Sequence, residues 1–193
     1  MYNYPLALTA SFISTVFVGA SYFVTKKSLY LTFQALCIVF LIASYFFTAQ
    51  FFAMVGLALG LARTLIFYVF EKRDKVAPIW VAFALSAATL TSYFIVNLGI
   101  LKTAQPLDLL CVTALIMYAF IFRIRNLKIV RFTMLIPTVF SILFNTLTGA
   151  AFFASITYVI ELTANVVSIY KYHIKNENEE TQNVSKENTN ENS

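Results

Sequence analysis

The sequence predicts an all-α polytopic membrane protein with seven transmembrane helices, arranged as two parallel triple-helix-bundle repeats about a linking helix (3+1+3). Three observations carry that expectation. The chain of 193 residues is 60% hydrophobic and only 12% charged, with a mean hydropathy of +0.76, whereas ordinary soluble domains carry about 25% charge. Its apolar residues gather into seven runs long enough to cross a bilayer core, which takes about 20 residues of helix. Lys and Arg collect in every second connection, the pattern that marks cytoplasmic loops.

The first run, Leu6–Val24, begins within the opening MYNYPLAL, which lacks the basic region of a cleavable signal, so it is expected to persist as a helix. Lys26 and Lys27 come next. The second run, Leu31–Ala49, is joined to the third, Phe51–Phe70, by the short TAQ turn at 48–50. A connection this short makes neighbouring helices antiparallel. Lys72, Arg73 and Lys75 close the third run, and the fourth, Ile79–Leu98, contains SAATLTS at 86–92, small and polar and suited to close helix packing. The fifth run, Leu107–Phe122, opens beside Pro106 and is followed by Arg123, Arg125, Lys128 and Arg131. Asp108, in its first turn, suits the helix dipole; a vestibule that attracts cations is the other reading. The sixth run, Val130–Leu147, contains Pro137, which is expected to kink it, whether for structure alone or to shape a binding site. The LTGA turn at 147–150 leads to the seventh, Ala151–Tyr170, and then to Lys171 and Lys175.

With seven helices, all of these cationic loops fall on one side and only Lys102 on the other. The N-terminus is then outside and the C-terminus cytoplasmic. The stretch 176–193 has five Glu against Lys186, a net −4, which leaves +9 on the rest of a chain whose total is +5. That surplus sits in short loops, so no nucleic-acid partner is expected; the bilayer is the partner the composition names. The tail, 173–193, is nearly free of apolar residues and is expected to be a disordered, solubilising extension. Its NVS sequence at 183–185 matches a glycosylation acceptor that would be silent on the cytoplasmic side.

A weak internal repeat divides the membrane domain, residues 1–172. FFA opens the third run at 51–53 and the seventh at 152–154, an offset of 101 residues, and TKKSLY after the first run takes the place of RIRNLK after the fifth. Repeat one covers about 6–70, the linking helix about 79–98 and repeat two about 107–170. Three helices, a linking helix and three more in the same orientation make parallel repeats, an arrangement used by some transporters.

The stretches GLALGLARTLIFYVFEKR at 56–73, AQPLDLL at 104–110 and FNTLTGAAF at 144–152 resemble the YgjV family of bacterial inner-membrane proteins. The matching features are Arg63 followed by Thr64 and Leu65, Pro106 with an acid just after it, and Asn145 four residues before Gly149. The resemblance spans about Leu29 to Tyr172 and implies a location in the bacterial inner (plasma) membrane. Through a distant similarity of that family to the SWEET, PQ-loop and PnuC transporters it also implies two triple-helix bundles and a carrier-like role. The Pro-Gln dipeptide of the PQ-loop group does not occur in this chain.

Candidate functional residues follow from charge in apolar surroundings. Arg63 and Glu161 stand inside runs, and intramembrane charges normally face the bundle interior and pair. Counted from the two FFA openings, Arg63 is 12 residues in and Glu161 is 9 in, a depth difference of about 4–5 Å. Helical side chains lean toward their own N-terminus, which brings the long Arg63 stem toward Glu161. The expectation is an Arg63–Glu161 pair at an internal cavity. Thr157, Glu161, Asn165 and Ser168 form one stripe of the seventh helix, and such a stripe needs partner helices or water. Gly56, Gly60 and Arg63 share a face of the third, and Asn145 and Tyr45 are further cavity candidates.

Cys37 and Cys111 are isolated thiols, and with the single His173 they make no metal-ligand set. No cofactor, metal or enzymatic activity is expected: Walker A, HExxH and GxSxG patterns are absent. A retinal-type light sensor is disfavoured, because the seventh helix has no Lys at mid-membrane. The leading expectation is a secondary carrier or facilitator of a small polar solute, worked by alternating access between the bundles. A zwitterion, a carboxylate-bearing metabolite or a proton-coupled neutral solute would each suit a site holding both charges. The alternative is a non-catalytic scaffold or accessory subunit whose Arg–Glu pair only fixes helix register.

Overall fold

The computed structural model describes residues 4–49, 51–101, 106–148 and 152–174. Lys102, Gly149 and the tail 175–193 with its NVS sequence lie outside the described residues. Among the described residues the protein is entirely helical, with no strand. The elements are α1 (Tyr4–Ser21), α2 (Lys27–Phe47), α3 (Phe51–Lys72), α4 (Ile79–Tyr93), α5 (Asp108–Ile121), α6 (Leu127–Thr148) and α7 (Phe152–Ile169). Wider π-helical turns extend α4 through Phe94–Leu101 and α7 through Tyr170–Ile174.

Five of the described helices are long and apolar enough to cross a membrane, and α5, with its 14 residues, is shorter. The chain enters it through a tight turn, Leu109 N–H bonding the Pro106 carbonyl at 3.2 Å and Leu110 N–H the Leu107 carbonyl at 3.0 Å.

α1 shows why these helices need lipid. Its exposed stripe is large and apolar (Tyr4, Leu8, Phe12, Val16), while its buried stripe is small or polar (Ala7, Ser11, Ser14, Val18, Ser21). In water that pattern would be inside out; in hydrocarbon, small residues let helices approach and hydroxyls satisfy one another. Ser11 and Ser44 meet at 2.7 Å, Ser44 donates to the Ala7 carbonyl at 3.0 Å, and Ser14 donates to the Cys37 carbonyl at 3.0 Å, lacing α1 to α2.

Sequential helices pack in two series, α1–α2–α3 and α5–α6–α7. They meet where α1 packs on α7 and, less extensively, where α3 approaches α5. α4 packs mainly on α5 and turns Trp80, Phe83, Leu90, Phe94 and Ile95 outward.

The helix ends explain themselves locally. α3 stops where Asp74 adopts a left-handed conformation (φ 53°), with Lys75 N–H bonded to the Phe70 carbonyl and Asp74 N–H to the Glu71 carbonyl, the paired closure of a Schellman turn. α6 starts earlier than the apolar run suggests, because the Asn126 side chain accepts from Lys128 N–H at 2.9 Å and caps the helix. At this basic end Lys27 bridges to Glu71 and Arg125 to Asp74, each at 3.0 Å. The apolar core lies nearby, built on Tyr22, Tyr30, Leu31, Phe67, Phe122, Val130 and Met134.

Candidate functional site

The interior of the bundle holds two neighbouring cavities that share Leu57, Leu115, Tyr118 and Tyr158 in their walls. The first, about 50 Å³, is lined by Arg63, Thr157 and Glu161 together with Gln34, Gly60 and Phe122. The second, about 40 Å³, is lined by Tyr45 and Asn145 with Gly56, Cys111, Ser141 and Phe144. Both exceed the roughly 10–15 Å³ that a single water needs on this measure.

Arg63 is carried by α3 on the face that also presents Gly56 and Gly60. A methyl at Gly56 would stand 3.3 Å from Leu115 Cδ1, a tight contact that marks where α3 comes up against α5. From there Arg63, 6% exposed, donates through Nη1 to the Leu115 carbonyl at 3.0 Å. Its guanidinium carbon lies 5.1 Å from the centres of both the Tyr118 and the Phe122 rings, whose faces attract a cation. Among the described residues its Nε donor has no hydrogen-bond partner.

Glu161, 4% exposed on α7, accepts at Oε1 from the Tyr22 hydroxyl at 2.8 Å. Tyr22 stands just beyond the end of α1 and packs edge-on against Tyr30, ring centres 5.6 Å apart. Gln34 backs this group: its amide donates to Ser21 Oγ at 3.1 Å and lies 3.5 Å from the Tyr30 hydroxyl. One turn before Glu161, Thr157 meets Thr15 of α1, Oγ1 to Oγ1, at 2.9 Å.

The expected Arg63–Glu161 ion pair is absent. Among the described residues the salt bridges are Lys27–Glu71 and Arg125–Asp74. The two charges line one cavity, but α3 packs on α2, α4 and α5 while α7 packs on α6 and α1, so the helices bearing them face each other across the space. Each charge has found a nearer partner on a helix that does touch its own: a carbonyl and two rings for Arg63, a phenol for Glu161.

The other candidates divide. Tyr45 and Asn145 do come together, the hydroxyl donating to Asn145 Oδ1 at 3.4 Å in the wall of the second cavity. Asn165, fully buried, lines neither cavity; its amide donates to the Arg131 carbonyl at 2.8 Å and ties α7 to α6, while its Oδ1 accepts no bond among the described residues. Asp108 is buried in the first turn of α5 and lines neither cavity.

Arg131, counted with the loop cations from the sequence, is instead 2% exposed inside α6. Its Nη2 donates to the carbonyls of Tyr22 at 3.0 Å and Val24 at 2.7 Å. Ser168 adds a bond to the Tyr22 carbonyl at 2.6 Å and Tyr172 one to Phe23 at 3.1 Å, so α6 and α7 together grip the end of α1 that carries Tyr22. Tyr22 and Arg131 are the residues that sequence reasoning missed. The available signal was the position of Arg131 itself, one residue inside the sixth apolar run that begins at Val130.

No curated protein and no solved structure matches the chain. The family profile Imp-YgjV, described as a bacterial inner membrane protein, matches residues 6–176, nearly the whole membrane domain with the buried polar interior just described. The chain belongs to the Imp-YgjV family of bacterial inner membrane proteins.

Proposed function

We propose that this protein is a secondary carrier or facilitator of a small polar solute, non-enzymatic, working by alternating access between two triple-helix bundles. α1–α3 and α5–α7 are the bundles in this reading and α4 the link, with the N-terminus outside and the C-terminus cytoplasmic from the placement of Lys and Arg.

The observation that supports it most is the separation of Arg63 and Glu161 across a water-sized cavity. A buried pair kept only to hold helices in register gains by meeting, because uncompensated buried charge is costly. Two opposite charges lining one space without meeting suit a passenger better than a clamp. The small-residue contacts of α1 and α3 supply surfaces on which helices can slide or rock.

The test is a flux measurement. In proteoliposomes followed by light scattering, the wild type should speed volume recovery for at least one class of small polar solute. The double variant Arg63→Met with Glu161→Leu, matched roughly in volume, should fold and insert yet recover at the rate of protein-free vesicles. A double variant as fast as the wild type, or a wild type no faster than empty vesicles, would favour the scaffold.

A further inference from the structure

We infer that the central site takes a small zwitterion, its carboxylate on Arg63 and its ammonium on Glu161, with any side chain directed toward Tyr45 and Asn145; the assignment rests on the carrier reading above.

The charge arrangement favours a ligand of both signs over the simpler ones. Arg63 and Glu161 are both more than nine-tenths buried and line the same cavity of about 50 Å³. Among the described residues Arg63 makes one hydrogen bond, from Nη1 to the Leu115 carbonyl, and its guanidinium side chain lines the cavity wall. An anion alone would satisfy the guanidinium but confront the Glu161 carboxylate with like charge at low dielectric. A cation alone does the reverse, and a neutral polar solute adds no opposite charge to the carbonyl, rings and phenol that each already has. A molecule that carries both signs, a few bonds apart, complements both walls at once.

Size narrows the class further. At roughly 10–15 Å³ per water-sized group, a 50 Å³ space holds about the skeleton of glycine. The adjoining 40 Å³ cavity begins at the shared wall of Leu57, Leu115, Tyr118 and Tyr158. Its own lining is chiefly apolar and ends in the Tyr45–Asn145 contact. On the same measure that is room for about three or four such groups, a short and mainly apolar side chain. A small neutral α-amino acid fits both halves.

The test is equilibrium binding, independent of flux. The thermal midpoint of the detergent-purified full chain is followed against glycine and L-alanine, with acetate, methylammonium and acetamide as single-feature controls. The two zwitterions should raise the midpoint saturably and the controls should not. Glu161→Gln keeps an acceptor for Tyr22, and both it and Arg63→Gln should weaken glycine binding by about tenfold or more, the loss of one charge-assisted contact. Acetate stabilising as strongly as glycine, with Glu161→Gln indifferent, would overturn the inference. So would silence from both amino acids, a selectivity result on the wild type that needs no variant to fold. If a neutral solute nevertheless crosses proteoliposomes, the carrier reading survives that failure. Glycine bound but nothing transported leaves the ligand assignment standing and removes the carrier.

Discussion

Tyr22 shows how much a buried carboxylate depends on one partner. Its hydroxyl reaches Glu161 Oε1 at 2.8 Å, and its own backbone carbonyl is held by Arg131 and Ser168. Tyr22→Phe removes only an oxygen, so the ring packing on Tyr30 survives. The expected cost is about 1.5–3 kcal/mol, the range for hydrogen bonds to charged groups, read as a lower unfolding midpoint in detergent. In a Glu161→Gln background the same change should cost less, because the acceptor is then neutral. Arg63 and Glu161 stood out in the sequence because charge inside an apolar run is conspicuous. Tyr22 did not, since a tyrosine is equally at home in lipid, core or interface. Depth along the helices was legible from residue counts; azimuth was not. Counting cannot say that α3 and α7 lie on opposite sides of a cavity, and the pairing of Arg63 with Glu161 failed on that point.

At the scale of elements, the apolar runs located all seven helices, and the residues that mattered lay at their margins. α6 begins at Leu127 rather than Val130 because Asn126 caps it. Arg131 already lay inside the run, one residue past Val130, yet it read as a loop cation; in the fold it is a buried strut between α6 and the end of α1. Arg131→Met keeps the stem's packing and removes both carbonyl bonds. It should destabilise the protein by about 3 kcal/mol and raise amide exchange around Tyr22–Val24, whereas Arg125→Met, at the exposed pair with Asp74, should change stability by less than about 1 kcal/mol. The glycine spacing of α3 was legible as a packing face, and Gly56 against Leu115 shows which helix it meets. The sequence could not name that partner, because small residues advertise closeness without direction.

For the molecule as a whole, hydropathy and charge asymmetry were enough to read a helical membrane protein, because a bilayer permits so few backbone solutions. What they left unread is the interior, where small cavities arise from packing of side chains distant in sequence, such as Tyr45 and Asn145. The orientation has a direct check. Reporter fusions after Lys75, after Asn126 and at the C-terminus should read cytoplasmic, and a fusion at Thr103 should read outside. A cytoplasmic signal at Thr103 would break the odd helix count and with it the two-bundle scheme.

Trp80 gives the protein a built-in optical probe. It is the chain's one tryptophan among eleven tyrosines, and it stands 66% exposed in the first turn of α4, close to the basic connection that precedes that helix. Its indole therefore senses the surrounding annulus near the headgroups, where tryptophans tend to settle, and not the interior. Emission colour and quenching by brominated lipids then follow how α4 sits in the bilayer, with occupancy of the central cavities contributing little. A spectral change on adding solute would accordingly signify displacement of α4 relative to lipid, making the same photons a monitor of helix movement and a blank for ligand contact.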